Sequence, residues 1–265
     1  MGRATPLADA PHGFKVAGMG DRHTTLVMAG AREAHGIVAG LARQGRQVIA
    51  SLSEPERMFG PLPVPTRTGT FATPAEYADW VNANDVSKII DASHAFDTGV
   101  SAMARQCAIE LGLPYVRVLR PPWTATETDK WIDVASVKQV ATSAPANTRL
   151  FSNTGWLSLP AFEGFRGERV FLRQTHAQCD APPYDFVTIL PGEPPFSVEE
   201  EIMLFRDLRV THLICRNVGG EASSSKLLAA RELGLPVYMV ARQQVAADVL
   251  TVETIEQALA WDAAE

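Results

Sequence analysis

The sequence has few cysteines, no excess of basic residues and no long apolar run, and each absence excludes a class of protein. The three cysteines, Cys107, Cys179 and Cys215, form no CxxC pair, which disfavours a disulfide framework and a zinc site. The net charge of −6 argues against a general nucleic-acid binder, whose affinity rests on clustered Lys and Arg. Because no stretch of about 18 apolar residues is present, no membrane span is predicted.

The start of the chain and the histidines also lack recognisable signals. Residues 1–23 contain no continuous apolar stretch, so we interpret them as a leader or disordered tail outside the fold. The six histidines form no HxxxH or HxxE pair, and no metal site is predicted. Reduced cysteines without a secretory signal favour a cytoplasmic location.

What the sequence does contain is an alternation of apolar strands and amphipathic helices. Strands are predicted at 24–28, 48–51, 88–91, 114–118, near 150 and 170, and at 186–190, 212–215 and 237–240. Helices are predicted at 33–43, 74–82, up to 112, and at 197–208, 223–233 and 252–261. Strands that alternate with helices need crossover connections, which predicts an α/β fold with mostly parallel sheets.

One segment recurs within the chain. AIELGLPYVRV (108–118) reappears as ARELGLPVYMV (230–240), displaced by 122 residues. A GLP segment on its own ends a helix and starts a strand in many α/β proteins, and that explanation stays open. Two similar lobes are the more economical interpretation. We predict an N-terminal lobe over 24–125 and a C-terminal lobe over 126–265.

Candidate cofactor contacts lie in the loops after the strands, because open parallel sheets bind ligands at their carboxyl ends. The first loop places Gly30, Ala31, Arg32 and Glu33 at a helix N-terminus, where N–H groups and the helix dipole attract phosphate. The GxGxxG pattern is absent, so a bare turn without a ligand is the alternative.

The second strand ends in hydroxyl-bearing residues. Ser51 closes the predicted strand, and Ser53 and Arg57 follow it. Residues at this position bind the ribose of a dinucleotide in many such folds. Hydroxyls and an arginine suit a 2′-phosphate better than a plain ribose.

The third loop, DASHAFDTGVS (91–101), concentrates polar residues between a strand and a helix. Asp97 and His94 are the candidate proton donors, because carboxyl and imidazole groups are both tunable there. Ser93 is a candidate cofactor contact. The alternative is that Asp97 caps the helix and His94 bonds the backbone.

The fourth loop, CRNVGGEASSSK (215–226), contains two glycines and several side chains that can donate hydrogen bonds. Gly219 and Gly220 allow the backbone to approach a ligand. Arg216, Asn217 and Lys226 can donate to phosphate or carboxylate oxygens. A flexible capped turn is the alternative.

Two further segments follow strands. LRPPW (119–123) contributes Arg120 and Trp123, and FSNTGW (151–156) contributes Thr154 and Gly155. The indole and prolines form a stiff platform that either faces a flat ligand or seals the junction between the lobes.

Taken in order, these loops resemble the precorrin-6A reductase family of cobalamin biosynthesis. The family's GGTxEA, THPF, ERPPW, xTxG and TKxSGG motifs correspond to AGAREA (29–34), SHAF (93–96), LRPPW (119–123), SNTG (152–155) and CRNVGG (215–220). The chain departs from these motifs at Ala29, Ala95 and Arg216. The resemblance extends from about residue 24 to the C-terminus.

The resemblance implies two Rossmann-like lobes with mostly parallel sheets and a ligand cleft between them. It implies an NADPH-dependent reductase that transfers hydride to a double bond of a tetrapyrrole, precorrin-6A. The nicotinamide carries the hydride, so the protein must position two flat rings, exclude water and supply a proton. Asp97 is then the expected proton donor or substrate orienter, with His94 second. Substrate contacts are expected from Phe96, Arg120, Trp123, Thr154 and Gly155.

The carboxylates of such a substrate require scattered cations near the strand ends. The candidates are Arg117, Arg120, Arg173, Lys226 and Arg242. Two other hypotheses remain beside the reductase. One is a non-catalytic two-lobe module that binds a small anionic ligand, and the other is a transferase that uses S-adenosylmethionine on a tetrapyrrole. The oligomeric state is not predicted.

Overall fold

The computed structural model describes residues 24–55, 60–174 and 181–265, so the predicted tail, Arg57 and Cys179 lie outside the described residues. The chain forms two compact units. Unit 1 comprises the chain up to Leu119 together with Ala247–Glu265, and unit 2 comprises Arg120–Ala246.

The elements alternate along the chain much as the sequence predicts. The first half contains β1 (Thr24–Ala29), α1 (Glu33–Arg43), β2 (Val48–Leu52), β3 (Thr66–Thr68), α2 (Pro74–Ala83), β4 (Val86–Ala92), α3 (Thr98–Leu111) and β5 (Tyr115–Val118). Next come β6 (Trp131–Val134), α4 (Val137–Ser143), β7 (Arg149–Ser152), β8 (Arg169–Gln174), β9 (Val187–Pro191) and α5 (Val198–Asp207). The chain then continues through β10 (His212–Arg216), α6 (Ser225–Leu233), β11 (Val237–Val240), β12 (Thr251–Val252) and α7 (Ile255–Ala264). Two short 3₁₀ helices lie at Trp156–Phe162 and Glu221–Ser223.

Unit 1 is built on a six-stranded sheet in the order β12-β5-β4-β1-β2-β3, in which every pair is parallel. Successive residues of β1 point to opposite faces of the sheet. Val27 joins the cluster formed with α1 and α7, whereas Leu26 joins the cluster formed with α2 and α3. Because both faces are covered by helices, β1 is buried along its whole length.

Unit 2 repeats this strand order as β6-β11-β10-β7-β8-β9, again entirely parallel. The two copies of the recurring segment occupy matching places in the two sheets. Each copy ends a helix at a left-handed glycine, Gly112 with φ 65° and Gly234 with φ 64°, and then enters β5 or β11. The sequence repeat therefore corresponds to a structural repeat, and the predicted α/β fold with two parallel-sheet lobes is confirmed.

The limits of the two units differ from the predicted lobes. The sequence predicts Ala247–Glu265 in the C-terminal lobe, but this segment packs in unit 1. The reason is that β12 pairs in parallel with β5, while Thr25 donates a 2.8 Å hydrogen bond to the buried carboxylate of Asp262. Unit 2 also starts earlier than predicted, at Arg120 rather than residue 126.

Cys107 and Cys215 are buried free thiols. Burial raises the pKa of the Cys107 thiol to about 11, so this side chain is an inert core residue. Within the described part of the chain, no helix is both long and apolar enough to cross a bilayer.

Candidate active site

The loops after β1, β2, β3 and β4 leave one edge of the unit 1 sheet. Met28 near the end of β1 is in register with Ser51 of β2 on one side and with Asp91 of β4 on the other. The strand order reverses at β1, which is the place where open α/β sheets bind ligands. The structure therefore brings together the first three predicted loops.

The loop after β1 lies directly against the loop after β4. A Cβ on Gly30 would lie 2.9 Å from His94 N and 3.3 Å from Ser93 Cα, so only glycine fits this approach. Ala31 N–H donates a 2.9 Å hydrogen bond to Ala92 O. This bond engages the N–H group of Ala31, which the sequence predicts as a phosphate donor. Arg32 is exposed at the N-cap of α1, and Glu33 begins the helix.

The loop after β4 carries the two candidate proton donors. Asp97 occupies the N-cap of α3, but its side chain makes no capping hydrogen bond, so the simple capping alternative is not realised. His94 Nδ1 accepts a 3.2 Å hydrogen bond from Phe96 N–H, as the backbone-bonding alternative expected. This bond leaves the proton of a neutral His94 imidazole on Nε2. The Ser93 hydroxyl lies 3.0 Å from that of Ser101.

A buried charge network lies beneath this loop. Arg117 Nη1 donates to Asp91 Oδ1 at 2.8 Å, and to the Asp91 and Ser93 carbonyls at 2.9 and 3.1 Å. Tyr115 Oη donates to Asp91 Oδ2 at 2.6 Å. Burial, together with Asp91, raises the pKa of Tyr115, which keeps this phenol protonated. Arg117 is 4% exposed, and its guanidinium is engaged with Asp91 and Ser93, so it organises the loop.

Arg67 on β3 is a site residue that the sequence analysis missed. Its Nη1 donates to Ser51 Oγ at 3.1 Å and to Gly69 O at 2.7 Å. Its guanidinium carbon lies 3.7 Å from the centre of the Phe71 ring. The pKa of the Arg67 guanidinium is lowered, mainly because the group is partly buried. The only sequence signal was a short TRT run after a proline-rich segment.

A pocket of about 330 Å³ opens beside Arg67. We call it the Arg67 pocket. Its walls come from β1, β2, β3, α2 and α3, and include Ser51, Ser53, Phe71, Tyr77, Val100 and Met103. The Tyr77 hydroxyl is engaged with Met28 Sδ at 3.1 Å. Ser51 near the end of β2 and Ser53 after it therefore line one pocket with an arginine.

In unit 2, the segment after Leu119 and the loop after β10 bind each other. Asn217 Oδ1 accepts from Trp123 N–H at 2.8 Å, and Asn217 Nδ2 donates to Trp123 O at 2.9 Å. Trp123 Nε1 donates to Gly220 O at 2.9 Å. Gly219 has φ 69°, and a Cβ there would lie 2.0 Å from Pro121 O. The predicted residues of these two segments lie next to each other, but many of their hydrogen-bonding groups bond to one another.

Several side chains that the sequence predicts as ligand contacts have partners within unit 2. Both amide atoms of Asn217 are engaged with Trp123, so Asn217 holds that segment in place. Lys226 is 6% exposed, donates to the Ser223 carbonyl and lies 5.4 Å from the Trp123 ring. Arg173 pairs with Glu201 at 2.6 Å. These side chains stabilise unit 2, because buried polar groups require partners.

Thr154 is also internal. It is 2% exposed, and its hydroxyl lies 2.9 Å from Ser152 Oγ and 2.6 Å from Ser158 Oγ. This burial argues against the predicted substrate contact. The neighbouring Gly155 has open space where a Cβ would lie.

The two predicted arginines of unit 2 lie at the loop after β10. Arg216 is the last residue of β10. Arg120 lies beside Gly220, since a Cβ on residue 220 would be 2.7 Å from Arg120 Nη1.

Two doubly wound parallel sheets, one with a close glycine approach at its strand-order reversal, define a protein of the Rossmann-like class. The chain belongs to the precorrin-6x reductase CbiJ/CobK family, whose sequence model matches residues 24–262. The predicted family and the predicted oxidoreductase class are confirmed. Because the family is one of reductases, a reducing cofactor is implied.

Named relatives agree with this family. The precorrin-6A reductase of Rhodobacter capsulatus is 31% identical over 239 residues, which cover 89% of this chain and 94% of the relative. That of Rhodococcus erythropolis is 32% identical over 241 residues, covering 89% and 96%. A solved structure titled CobK precorrin-6A reductase superposes with a TM-score of 0.82 at 30% identity, covering 91% of this chain and 96% of that one.

Proposed function

We propose that this chain is a cytoplasmic NADPH-dependent reductase that transfers hydride to a double bond of precorrin-6A. The observation that carries the proposal is the close packing of Gly30 against the His94 backbone at the strand-order reversal of unit 1, where a Cβ on residue 30 would lie 2.9 Å from His94 N. It joins a phosphate-type loop to a loop bearing an acid and an imidazole. The similarity to proteins named precorrin-6A reductase supports the substrate.

The residues after β1 and β2 fit a dinucleotide. Gly30 keeps the carboxyl end of β1 open where a Cβ would collide with the β4 loop. Exposed Arg32 at the start of α1 adds positive charge to a helix N-terminus, which stabilises phosphate. Glu33 and Ser93 border the same loops, and Ser51 and Ser53 line the Arg67 pocket, which supports them as contacts to the ribose. These residues are therefore the proposed cofactor contacts.

The cofactor, when bound, supplies the hydride. The chain supplies the proton and the positioning. Asp97 holds the proton on its carboxyl group and delivers it to the macrocycle atom that becomes electron-rich, with His94 Nε2–H as the second candidate. The Arg117 bonds to the Asp91 and Ser93 carbonyls fix the backbone that carries both groups. Phe96 lies on the same loop and is the proposed apolar contact to the substrate.

Unit 2 contributes a second set of proposed contacts. Trp123 is fixed by its bonds to Gly220 and Asn217, which gives a rigid indole suited to a flat macrocycle. Arg120 and Arg216 are the proposed cations for anionic groups. Gly155, Gly219 and Gly220 offer backbone. The acidic total charge does not oppose this, because only local cations meet the substrate carboxylates.

Reduction of precorrin-6A by the purified protein tests the proposal. With NADPH and precorrin-6A, we expect the nicotinamide absorbance to fall in step with the change in the macrocycle spectrum, and NADH to react more slowly. S-adenosylmethionine should have no effect. Tight binding of the macrocycle without consumption of NADPH would favour the non-catalytic module. Consumption of S-adenosylmethionine would favour the transferase.

A further inference from the structure

We infer that Ser101 is a positioning residue for the proposed reduction: its hydroxyl bonds α3 to Ser93 and thereby holds the Asp97 carboxyl group where it delivers a proton. The inference rests on the proposed function, in which Asp97 supplies that proton. It assigns a role to a side chain outside the proposed set of contacts, one helical turn beyond Asp97.

Ser93 is the fixed point of this arrangement. Its N–H donates to Asp91 Oδ1 at 3.0 Å, and its carbonyl and hydroxyl oxygens both accept from Arg117 Nη1 at 3.1 Å. Ser93 is 2% exposed. It borders the Gly30 loop through its backbone, since a Cβ on residue 30 would lie 3.3 Å from Ser93 Cα. A buried residue that is bonded at three atoms has little freedom to move.

The Ser93 hydroxyl is also placed to bond to Ser101. The two hydroxyl oxygens are 3.0 Å apart. Because a guanidinium can only donate, the Ser93 oxygen accepts from Arg117, and its own proton is left for Ser101 Oγ. The Ser101 hydroxyl therefore connects α3 to the buried charge network beneath the loop.

The first turn of α3 is less firmly packed than the rest of the helix. All of α3 is described, and its buried residues begin at Ala104. In the first turn, Val100 is only partly buried against the core, and Gly99 is exposed with open space where a Cβ would lie. The bond from Ser101 to Ser93 thus adds a fixed contact where apolar packing is weakest.

Asp97 is connected to Ser101 through the backbone. Ser101 N–H donates a 3.1 Å hydrogen bond to Asp97 O, and Asp97 N–H donates a 2.9 Å bond to His94 O. A shift of the first turn of α3 therefore moves Asp97. A displacement of about 1 Å is enough to slow a reaction strongly, because proton transfer requires a precise distance.

A double-mutant cycle tests the inference. In single turnovers with NADPH and precorrin-6A, Ser101→Ala should slow the oxidation of NADPH about 5- to 20-fold, while the Kd for each ligand changes less than about threefold. Ser101→Thr keeps the hydroxyl and should restore the rate to within about threefold of the wild type.

The same substitution is then made in an Asp97→Asn background. There Ser101→Ala should change the rate less than about twofold, because a positioning residue acts only through the group that it positions. A purely structural role would instead slow the reaction by the same factor in both backgrounds.

Hydrogen exchange of the free protein examines the bond without turnover. Ser101→Ala should speed exchange of the amides of residues 101–103 about 3- to 10-fold, the usual effect of one hydrogen bond, and leave β4 unchanged. Alanine has the higher helix propensity, so faster exchange reports the loss of the bond to Ser93 and not a weaker helix. Ser101→Thr should exchange as the wild type does.

Ser143→Ala is the matched control. Ser143 is an exposed serine of α4 whose hydroxyl donates to Gln139 O, and its loss should change neither the rate nor the exchange of α3. Thermal melting establishes that each variant is folded. If Ser101→Ala is not, Ser101→Cys replaces it, because a thiol is only a weak donor and acceptor.

A Ser101→Ala rate within about twofold of the wild type would overturn the inference. Equal slowing in the two backgrounds, a Ser101→Thr variant as slow as Ser101→Ala, or unchanged exchange of residues 101–103 would do the same. Wild-type turnover by Asp97→Asn would also overturn it, while leaving the proposed reductase function intact. The proposed function fails separately, if the wild type does not oxidise NADPH with precorrin-6A.

Discussion

Asp97 lies at the end of the loop between β4 and α3. It stands at the N-cap of α3, yet α3 receives no side-chain cap from it. Asp91, only six residues earlier, is fully buried and bonded to Arg117 and Tyr115. The two aspartates therefore have different roles: Asp91 near the end of β4 holds the structure, and Asp97 on the loop after β4 is the candidate for proton transfer.

Asp97→Asn should lower kcat for precorrin-6A reduction by about 100-fold or more, which is the usual contribution of a positioned acid. The Kd for NADPH should change less than about twofold, because the proposed cofactor contacts lie on other residues. Stopped-flow turnover and fluorescence titration of NADPH give the two values. His94→Gln should have a smaller effect on kcat.

Asp79→Asn is the control for this comparison, because Asp79 is exposed on α2 and should leave turnover unchanged. An Asp97→Asn enzyme with wild-type kcat would remove Asp97 from the mechanism. A variant with normal kcat but a raised KM for precorrin-6A would make Asp97 a binding residue.

At the scale of elements, periodicity predicts the long helices and buried strands well. The predicted α1 agrees with the structure in both bounds, Glu33–Arg43, and the predicted β1 ends one residue early. The strands that were not predicted, β3, β6 and β12, have only two to four residues, too few to show a period. The place of β12 in unit 1 depends on tertiary pairing, which no local pattern encodes.

In the candidate site, the sequence predicts features that depend on backbone geometry, but it does not predict which side chains bond to one another. Gly30 was predicted from its place between a strand and a helix. Asn217 and Thr154 looked like ligand donors, but both satisfy their own unit. Arg67 was missed because its partner Ser51 lies 16 residues away in the sequence.

Arg117 gives the clearest prediction for how β4 and β5 support the loop. Arg117→Met leaves Asp91 as an uncompensated buried charge, which should lower the free energy of unfolding by about 3 to 5 kcal/mol. Urea unfolding at neutral pH measures this loss. The double variant Asp91→Asn, Arg117→Met should recover part of it.

Arg105→Met is the matched control, because the Arg105 pair with Asp248 is largely exposed and should be worth at most about 1 kcal/mol. Equal losses in the two single variants would show that the buried network contributes no more than a surface pair. Failure of the double variant to recover stability would locate the loss in the packing of Arg117.

At the scale of the whole molecule, the two units each have a core of their own, but unit 1 is completed only by the last part of the chain. Ala258 packs in the cluster of β1 and α1. Asp262, which is fully buried, binds Thr25 of β1, and its carbonyl accepts from Lys88 of β4 at 2.7 Å. Arg46 forms a 3.1 Å ion pair with the same carboxylate. Through Asp262, α7 thus binds to the amino-terminal parts of the central strands β1 and β4.

Asp262→Ala should destabilise unit 1 selectively. The substitution removes the carboxylate partner of the nearly buried Lys88 ammonium, 3.5 Å away, at an expected cost of about 3 kcal/mol. Hydrogen exchange should show lower protection in β1 and β4 and unchanged protection in β7, β8 and β10, because cooperative units open separately.

Glu253→Ala, at an exposed position before α7, is the control and should change the protection of neither unit. An equal loss of protection in both sheets would show that the chain opens as one cooperative unit. An unchanged pattern would show that the Asp262 contacts do not hold unit 1 together.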